Sequence, residues 1–217
     1  MRKTFLAITL FLAFSKAALA QFGNCTASEM RTYVDSATGN TITMLTDTMK
    51  NDRFLYQTDP MWTADGKYLL FRSSSRGNDK EVESTLPNGE KRKWTPTQIY
   101  FIEMATGKII QATEGPNLGS AFLANKTNRM FVSRKEKENR NMYVMDLNKF
   151  FADVKQGKVG KPSAYETFIG TFPTEMGRPG GYAVDCNDDY AYITVEREGT
   201  EEEKERMMKN AFLPESN

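Results

Sequence analysis

The sequence predicts an all-β fold, a β-propeller built from four-stranded antiparallel blades. Residues 60–71 show the unit most clearly, because an apolar run lies on each side of Asp65-Gly66. Glycine adopts positive φ without strain, so Asp-Gly between two apolar runs is typical of a tight hairpin. Residues 98–113 then supply two more strands around a second turn at Thr106-Gly107. These four strands make one blade.

The same unit recurs along the chain. Residues 31–46 repeat its outer strand-turn-strand at an offset of 68, and residues 121–131 repeat its inner hairpin at an offset of 60. The second offset places Phe122 on Trp62, and we expect both rings to lie in the core between blades. A third inner hairpin opens at Ala183, at an offset of 122. Such repeats at a spacing of about 40–60 residues are typical of propellers.

The repeats place blades near residues 31–114, 119–170 and 181–196 of a propeller region that spans 21–217. This is an incomplete arc of about three blades, whereas propellers usually close with about four to eight. We therefore expect the chain to be the N-terminal half of a longer protein, with missing C-terminal blades or another chain closing the ring.

Three segments do not follow the repeat. Residues 73–96 are polar and are expected to form an extended loop or a long hairpin insertion, solvated by default. Residues 150–160 replace the short Thr-Gly turn of the second blade with a longer connection compatible with a helix. Residues 198–210 are highly charged, with acidic and basic residues four apart, which favours a solvated helix.

The first twenty residues have the pattern of a cleaved secretory signal peptide. Arg2 and Lys3 precede an apolar run over residues 5–14, and Ala18-Leu19-Ala20 provides the small-residue cleavage pattern. The run is too short for a resident transmembrane helix. The sequence therefore predicts a periplasmic or secreted protein, cleaved after Ala20, with no membrane anchor.

The charge balance and the cysteines limit the partners and the chemistry. Without residues 1–20, which hold three basic residues and no acid, 26 basic and 28 acidic side chains are left of the 29 and 28 in the whole chain. This near-balance argues against nucleic acid as a partner. Export would permit a disulfide between Cys25 and Cys186, the only two cysteines. Two unpaired thiols are the alternative.

The motifs resemble those of a known family. The blade reads Pro-x-Trp-Thr-x-Asp-Gly-Lys-x-Leu-x-Phe from Pro60, followed by Gln-Ile-Tyr-Phe-Ile-Glu-x-x-Thr-Gly-Lys-Ile from Gln98. This pattern resembles the TolB-type propeller repeat. The order of the whole chain, ending with Arg-Pro-Gly-Gly-Tyr at residues 178–182, resembles the N-terminal half of bacterial oligogalacturonate lyases.

The resemblance implies a seven-bladed enzyme of pectin degradation that cleaves oligogalacturonate by β-elimination. It also implies a base that removes the proton α to the uronate carboxylate and a divalent metal, manganese or another. In the family the base and most metal ligands are histidines, and this chain has none. We therefore assign no catalytic and no metal residue here and expect the chain alone to be inactive.

Asp185, Asp188 and Asp189 are three carboxylates that lie close together in the sequence. They fall at a predicted hairpin turn, where aspartates usually form the turn. We therefore do not assign them to a metal.

Three residues are candidates for binding an acidic sugar. Arg178 and Tyr182 flank Pro-Gly-Gly just before an inner strand, which in a propeller lies near the central channel, and Arg72 directly follows the strand at 68–71. An arginine pairs with a carboxylate and an aromatic ring with a sugar face. The alternatives are a surface arginine and a tyrosine that only packs. A non-catalytic exported TolB-like propeller that binds a protein or glycan is the second functional possibility.

Overall fold

The computed structural model of the chain describes residues 21–77, 79–85, 89–137, 139–172 and 178–196, and the side chains of 178–181, 195 and 196 lie outside this description. The predicted signal peptide and the predicted charged helix also fall outside the described residues. The elements, in chain order, are β1 Cys25–Thr26, β2 Arg31–Val34, β3 Thr41–Met44, β4 Asp52–Arg53, β5 Tyr68–Ser73, β6 Val82–Thr85, β7 Lys91–Trp94, β8 Gln98–Glu103, β9 Ile109–Gln111, β10 Leu118–Leu123, β11 Arg129–Glu136, β12 Asn139–Asp146, α1 Leu147–Gln156, β13 Glu166–Thr171, β14 Arg178–Val184 and β15 Ala191–Glu196, with a short 3₁₀ helix at Pro162–Ala164 before β13.

The described strands form five antiparallel sheets. The first sheet has the order β1-β9-β8-β5-β4 and the second has the order β10-β11-β12-β13. Three hairpins, β2-β3, β6-β7 and β14-β15, each form a two-stranded sheet. None of these sheets closes on itself, so the structure is mostly β and consistent with a propeller-like fold. The number of blades stays a prediction.

The turns confirm that β2-β3 repeats the outer half of the first sheet. Asp35 N–H donates to the carbonyl of Asn40, and Gly39 N–H donates to the carbonyl of Asp35. Glu103 with Lys108, and Gly107 with Glu103, make the same two bonds. Gly39 and Gly107 both have φ of +72°, the positive value that these turns require of glycine. The offset of 68 is therefore correct at the level of hydrogen bonds.

The inner hairpins, in contrast, repeat at an offset of 61 and not 60. Thr63 N–H donates to the carbonyl of Tyr68, and the equivalent bond in the second sheet joins Ala124 to Arg129. The third hairpin makes it between Asp185 and Tyr190, which agrees with the predicted offset of 122 from the first. A register error of one residue reverses the face on which every side chain lies.

This register explains why the prediction for Trp62 is wrong. Met61, not Trp62, is the equivalent of Phe122, and Met61 packs against the buried cluster on the first sheet. Trp62 makes only a single bridge, to Leu69, and is 47% exposed. Phe122 is buried between the second sheet and the third hairpin, as predicted.

The main core lies between the first and second sheets, and α1 fills it. Leu147, Phe150 and Phe151 of the helix are buried there with Leu70 and Phe101 of the first sheet. The ring of Phe151 stacks on that of Tyr68 at 3.6 Å between centroids. The side chain of Asp146 caps the helix by accepting from Lys149 N–H at 3.0 Å, and Gly157 ends it at φ +65°. The helix-compatible connection is thus a helix, as expected.

The third hairpin attaches to the second sheet through both apolar and polar contacts. Tyr182, Val184 and Ile193 pack against the buried cluster around Phe122. The Asp188 carboxylate accepts hydrogen bonds from the backbone of the turn at residues 125–127. Asp185 accepts from the backbone N–H groups of the residues that follow it, so these aspartates hold turns, as predicted.

Residues 73–96 contain the hairpin β6-β7, one of the two alternatives expected for this segment. Cys25 lies in the edge strand β1 and Cys186 lies in the turn between β14 and β15, and both are exposed free thiols. The two cysteines are therefore unpaired. Within the described ranges, no helix is long and apolar enough to cross a membrane.

Candidate functional site

A cleft of about 1110 Å³ lies where the first sheet, the β6-β7 hairpin, strand β10 and strand β14 meet. Its charged and aromatic lining comes from five parts of the fold. These residues are Arg53 and Arg72 from the first sheet, Arg92, Lys93 and Trp94 from β7, Tyr56 and Asp59 from the connector after β4, and Phe122 and Tyr182 from β10 and β14. The volume exceeds that of a typical small-molecule site, so the cleft has room for an extended ligand.

The cleft is strongly cationic. Arg53, Arg72, Arg92 and Lys93 line it, and Asp59 is the one carboxylate among its described lining residues. None of the four cations makes an ion pair within the described part of the chain. Cations without a counter-charge around a concave surface favour the binding of an anion.

Strand pairing places two of these cations side by side. Arg72 lies directly opposite Arg53 in the β4-β5 ladder, so both side chains point to the same face of the sheet. Arg72 is exposed, while Phe71 and Ser73 on either side of it are buried and lie on the opposite face of the strand. Like charges that face each other repel, and a bound carboxylate between them would remove that cost.

Aromatic rings provide the apolar part of the wall. Tyr56 is 65% exposed and Trp94 is 37% exposed, so both can present a ring to a ligand. Tyr182 is half-buried, with its ring stacked on Phe122 at 5.6 Å and edge-on to Phe172 at 6.0 Å. Tyr182 therefore packs in the core and also reaches the cleft.

The structure brings two of the three predicted site residues together. Arg72 and Tyr182 line the same cleft, although they are far apart in sequence. Arg178 begins β14, which leads to Tyr182, but the Arg178 side chain lies outside the described residues. Its role in binding stays a prediction.

Sequence reasoning missed Arg53, Arg92 and Lys93. Arg53 gives no signal by itself, because only strand pairing places it beside Arg72. The run Lys-Arg-Lys-Trp at residues 91–94 was a usable signal, since basic residues next to an aromatic are typical of binding surfaces for anions. It lay in a segment expected to be solvated by default.

A second, smaller cavity has a structural ion cluster in its wall. Arg76 donates through two nitrogens to Glu29 and through two to Asp52, at 2.6–2.9 Å. Burial lowers the pKa of Arg76, but the two carboxylates outweigh it and raise the pKa overall. The guanidinium is therefore permanently charged and already neutralised, so this cluster fixes the fold and does not attract an anion.

No family model matches the chain, and no curated protein matches it. Among solved structures, an oligogalacturonate lyase in complex with manganese is similar over 76% of this chain, with 21% identity and a TM-score of 0.53. The fold resembles that of oligogalacturonate lyases.

The oligogalacturonate lyase of Vibrio parahaemolyticus gives an equivalent match, with 21% identity over 76% of this chain and a TM-score of 0.52. In both cases the match covers 35% of the other protein, so this chain spans about a third of the oligogalacturonate lyases that it resembles. These values confirm the expected resemblance at the level of the fold.

The described residues do not provide a manganese site. Among them no three His, Cys, Asp or Glu side chains lie close enough together to hold a metal ion, and the whole sequence contains no histidine. The manganese of the similar oligogalacturonate lyase is thus a property of that protein. We derive no catalytic step through a metal from these residues.

Proposed function

We propose that the chain is part of a lyase-type propeller that acts on oligogalacturonate by β-elimination and that its described residues bind the acidic sugar chain. The observation that carries the proposal is the cationic cleft. Four cations without ion-pair partners in the described part surround a volume large enough for several sugar units. The likeness to oligogalacturonate lyases supports the reaction class by analogy of fold.

The chemistry of the substrate fits the cleft. Each unit of oligogalacturonate carries a carboxylate and an apolar ring face. Guanidinium groups bind carboxylates with strong charge-assisted hydrogen bonds, and the opposed pair Arg53 and Arg72 presents two guanidinium groups on one face. Tyr56 and Trp94 present exposed rings on which a sugar can stack. Binding at Arg53 and Arg72 would hold a uronate carboxylate in place beside the reacting carbon.

β-Elimination also needs a base for the proton α to that carboxylate and positive charge for the enolate that develops. The arginines of the cleft can stabilise the enolate, but an arginine stays protonated and is not a base at neutral pH. A divalent metal is implied by the similar oligogalacturonate lyase, and the described residues do not hold one. We therefore propose that these residues bind substrate and that the proton is removed by groups outside them.

The test is to follow binding and turnover separately. The purified protein is titrated with trigalacturonate, and the absorbance of the unsaturated uronate product is then followed with Mn²⁺ present. We expect binding without product formation, because the chain has no histidine. The same assay repeated on a longer form that carries histidines should show product. Turnover by the 217-residue chain itself would overturn this division of roles.

A non-catalytic exported propeller that binds a glycan or a protein is the second candidate. The absence of histidine from the sequence and of a metal-binding cluster from the described residues favours it. The two candidates differ in turnover, since only the lyase gives an unsaturated product. We also propose export to the periplasm or the medium, based on the leader-like sequence of residues 1–20. Mass spectrometry of the protein from an exporting host tests this by an N-terminus at Gln21.

A further inference from the structure

We propose that the β6-β7 hairpin carries a separate subsite for an additional acidic sugar, formed by Arg92 and Trp94, and that this subsite makes binding depend on oligomer length. The inference rests on the proposed function, because it assumes an acidic oligosaccharide in the cleft. It goes further because it names two residues that give the protein a higher affinity for longer oligosaccharides than for the disaccharide.

Strand alternation puts a charge and a ring on one face of β7. Arg92 and Trp94 are two residues apart in the strand, so their side chains leave the same face. The register of the hairpin places Ser84 opposite Arg92 and Val82 opposite Trp94, so no carboxylate lies directly across from the guanidinium. A cation beside an aromatic ring matches the carboxylate and the ring face of one uronate unit.

This pair is a second group of contacts, distinct from the arginines of the first sheet. Arg53 and Arg72 belong to the five-stranded sheet, while Arg92 and Trp94 belong to a two-stranded sheet of their own. Both groups line the same cleft, whose volume of about 1110 Å³ is more than one sugar needs. A dimer held at the first group would leave the second group empty, whereas a longer chain would contact both.

Neighbouring Lys91 supplies a matched control on the same strand. It is adjacent to Arg92 and has the same charge, but its Nζ pairs with Glu83 at 2.8 Å and it does not line the cleft. Its side chain is 70% exposed, so neutralising it should not affect folding. A change that depends only on the charge of the hairpin would affect both positions equally.

The experiment measures affinity by calorimetry for di- and tetragalacturonate and for the methyl ester of the tetramer. We expect the wild-type protein to bind the tetramer about tenfold more tightly than the dimer, since one added charge-assisted contact contributes about 1.4 kcal/mol. Arg92→Gln should remove most of that gain and leave dimer affinity within about twofold. Trp94→Ala should weaken the tetramer and its ester alike, because stacking does not need the charge. Lys91→Gln should behave as wild type.

Two results would overturn the inference, and they are distinguishable. If dimer and tetramer bind but Arg92→Gln keeps the full preference for the tetramer, the hairpin subsite is wrong and the proposed function stands. If the wild-type protein binds no galacturonide, the proposed function and the subsite both fail. Circular dichroism and thermal unfolding of each variant show whether the protein is folded, and Lys91→Gln reports any unspecific effect of charge loss.

Discussion

The carboxylate of Asp188 accepts two hydrogen bonds from Thr127, one from its backbone N–H at 2.8 Å and one from its hydroxyl at 2.9 Å. The N–H groups of Asn125 and Lys126 donate to the same carboxylate at 2.6 and 2.8 Å. One buried carboxylate of the third hairpin thereby accepts hydrogen bonds from three consecutive backbone N–H groups in a turn of the second sheet. Asp188 has φ of +65°, so its backbone adopts the left-handed conformation within the turn of the third hairpin.

Asp188→Asn should weaken the attachment of the third hairpin. The amide can accept fewer of the four bonds and its NH₂ group would face N–H donors, so we expect a loss of about 1–3 kcal/mol. Hydrogen exchange at the N–H groups of residues 125–127 should accelerate. Asp189→Asn is the control, because the Asp189 side chain is exposed. Equal protection of these N–H groups in wild type and Asp188→Asn would contradict this role.

Acid should release the same attachment. Burial raises the pKa of Asp188, but the hydrogen bonds from residues 125–127 outweigh it, and the pKa is lowered overall. In the first sheet, burial likewise opposes the bonds from Thr63 and Lys67 that bring the pKa of Asp65 to about 2. A depressed folded-state pKa gives stability that is present above the unfolded value of about 3.9 and is lost as the pH falls through the folded value.

Chemical unfolding of the wild-type protein should therefore show a stability that falls from pH 4 towards about pH 2. Asp65→Asn and Asp188→Asn should each reduce the slope in this window. A slope that is unchanged in both variants would mean that other carboxylates cause the acid sensitivity.

Arg76 and Arg72 should differ in what they contribute to the free energy of unfolding. Arg76→Gln leaves the carboxylates of Glu29 and Asp52 unpaired, and the Asp52 side chain is only 10% exposed, so we expect a loss of about 3–5 kcal/mol. Arg72→Gln removes an exposed side chain with no ion pair in the described part, and its cost should stay within about 0.5 kcal/mol. Urea unfolding checks both. An equal cost for both would contradict the distinction.

The sequence predicted local structure best where the turn chemistry is explicit. Asp-Gly and Thr-Gly fix hairpins through a residue with positive φ, and the structure shows these turns at Gly39, Gly66 and Gly107. The predicted alignment of the first two inner hairpins was wrong by one residue. The turn of the second sheet has Thr127 at the position where the first has Gly66. Without a glycine to mark the turn, hydrophobicity alone could not set the register.

The candidate site was only partly predictable for a different reason. Arg72 and Tyr182 could be proposed from strand ends, but only strand pairing places Arg53 opposite Arg72, and only the folded chain brings Arg92 to the same cleft. The short edge strand β1 was not foreseen either. It pairs with β9 through only two residues, too few to give a periodic pattern.

The most direct test of the account is the affinity of the protein for trigalacturonate beside its fully methyl-esterified form, in wild type and in Arg53→Gln/Arg72→Gln. If the cationic cleft binds uronate carboxylates, the free acid should bind at least about tenfold more tightly than the ester, and the double variant should lose most of that difference while staying folded. Equal affinity of acid and ester in the wild-type protein, or a preference that survives in the double variant, would contradict the central claim.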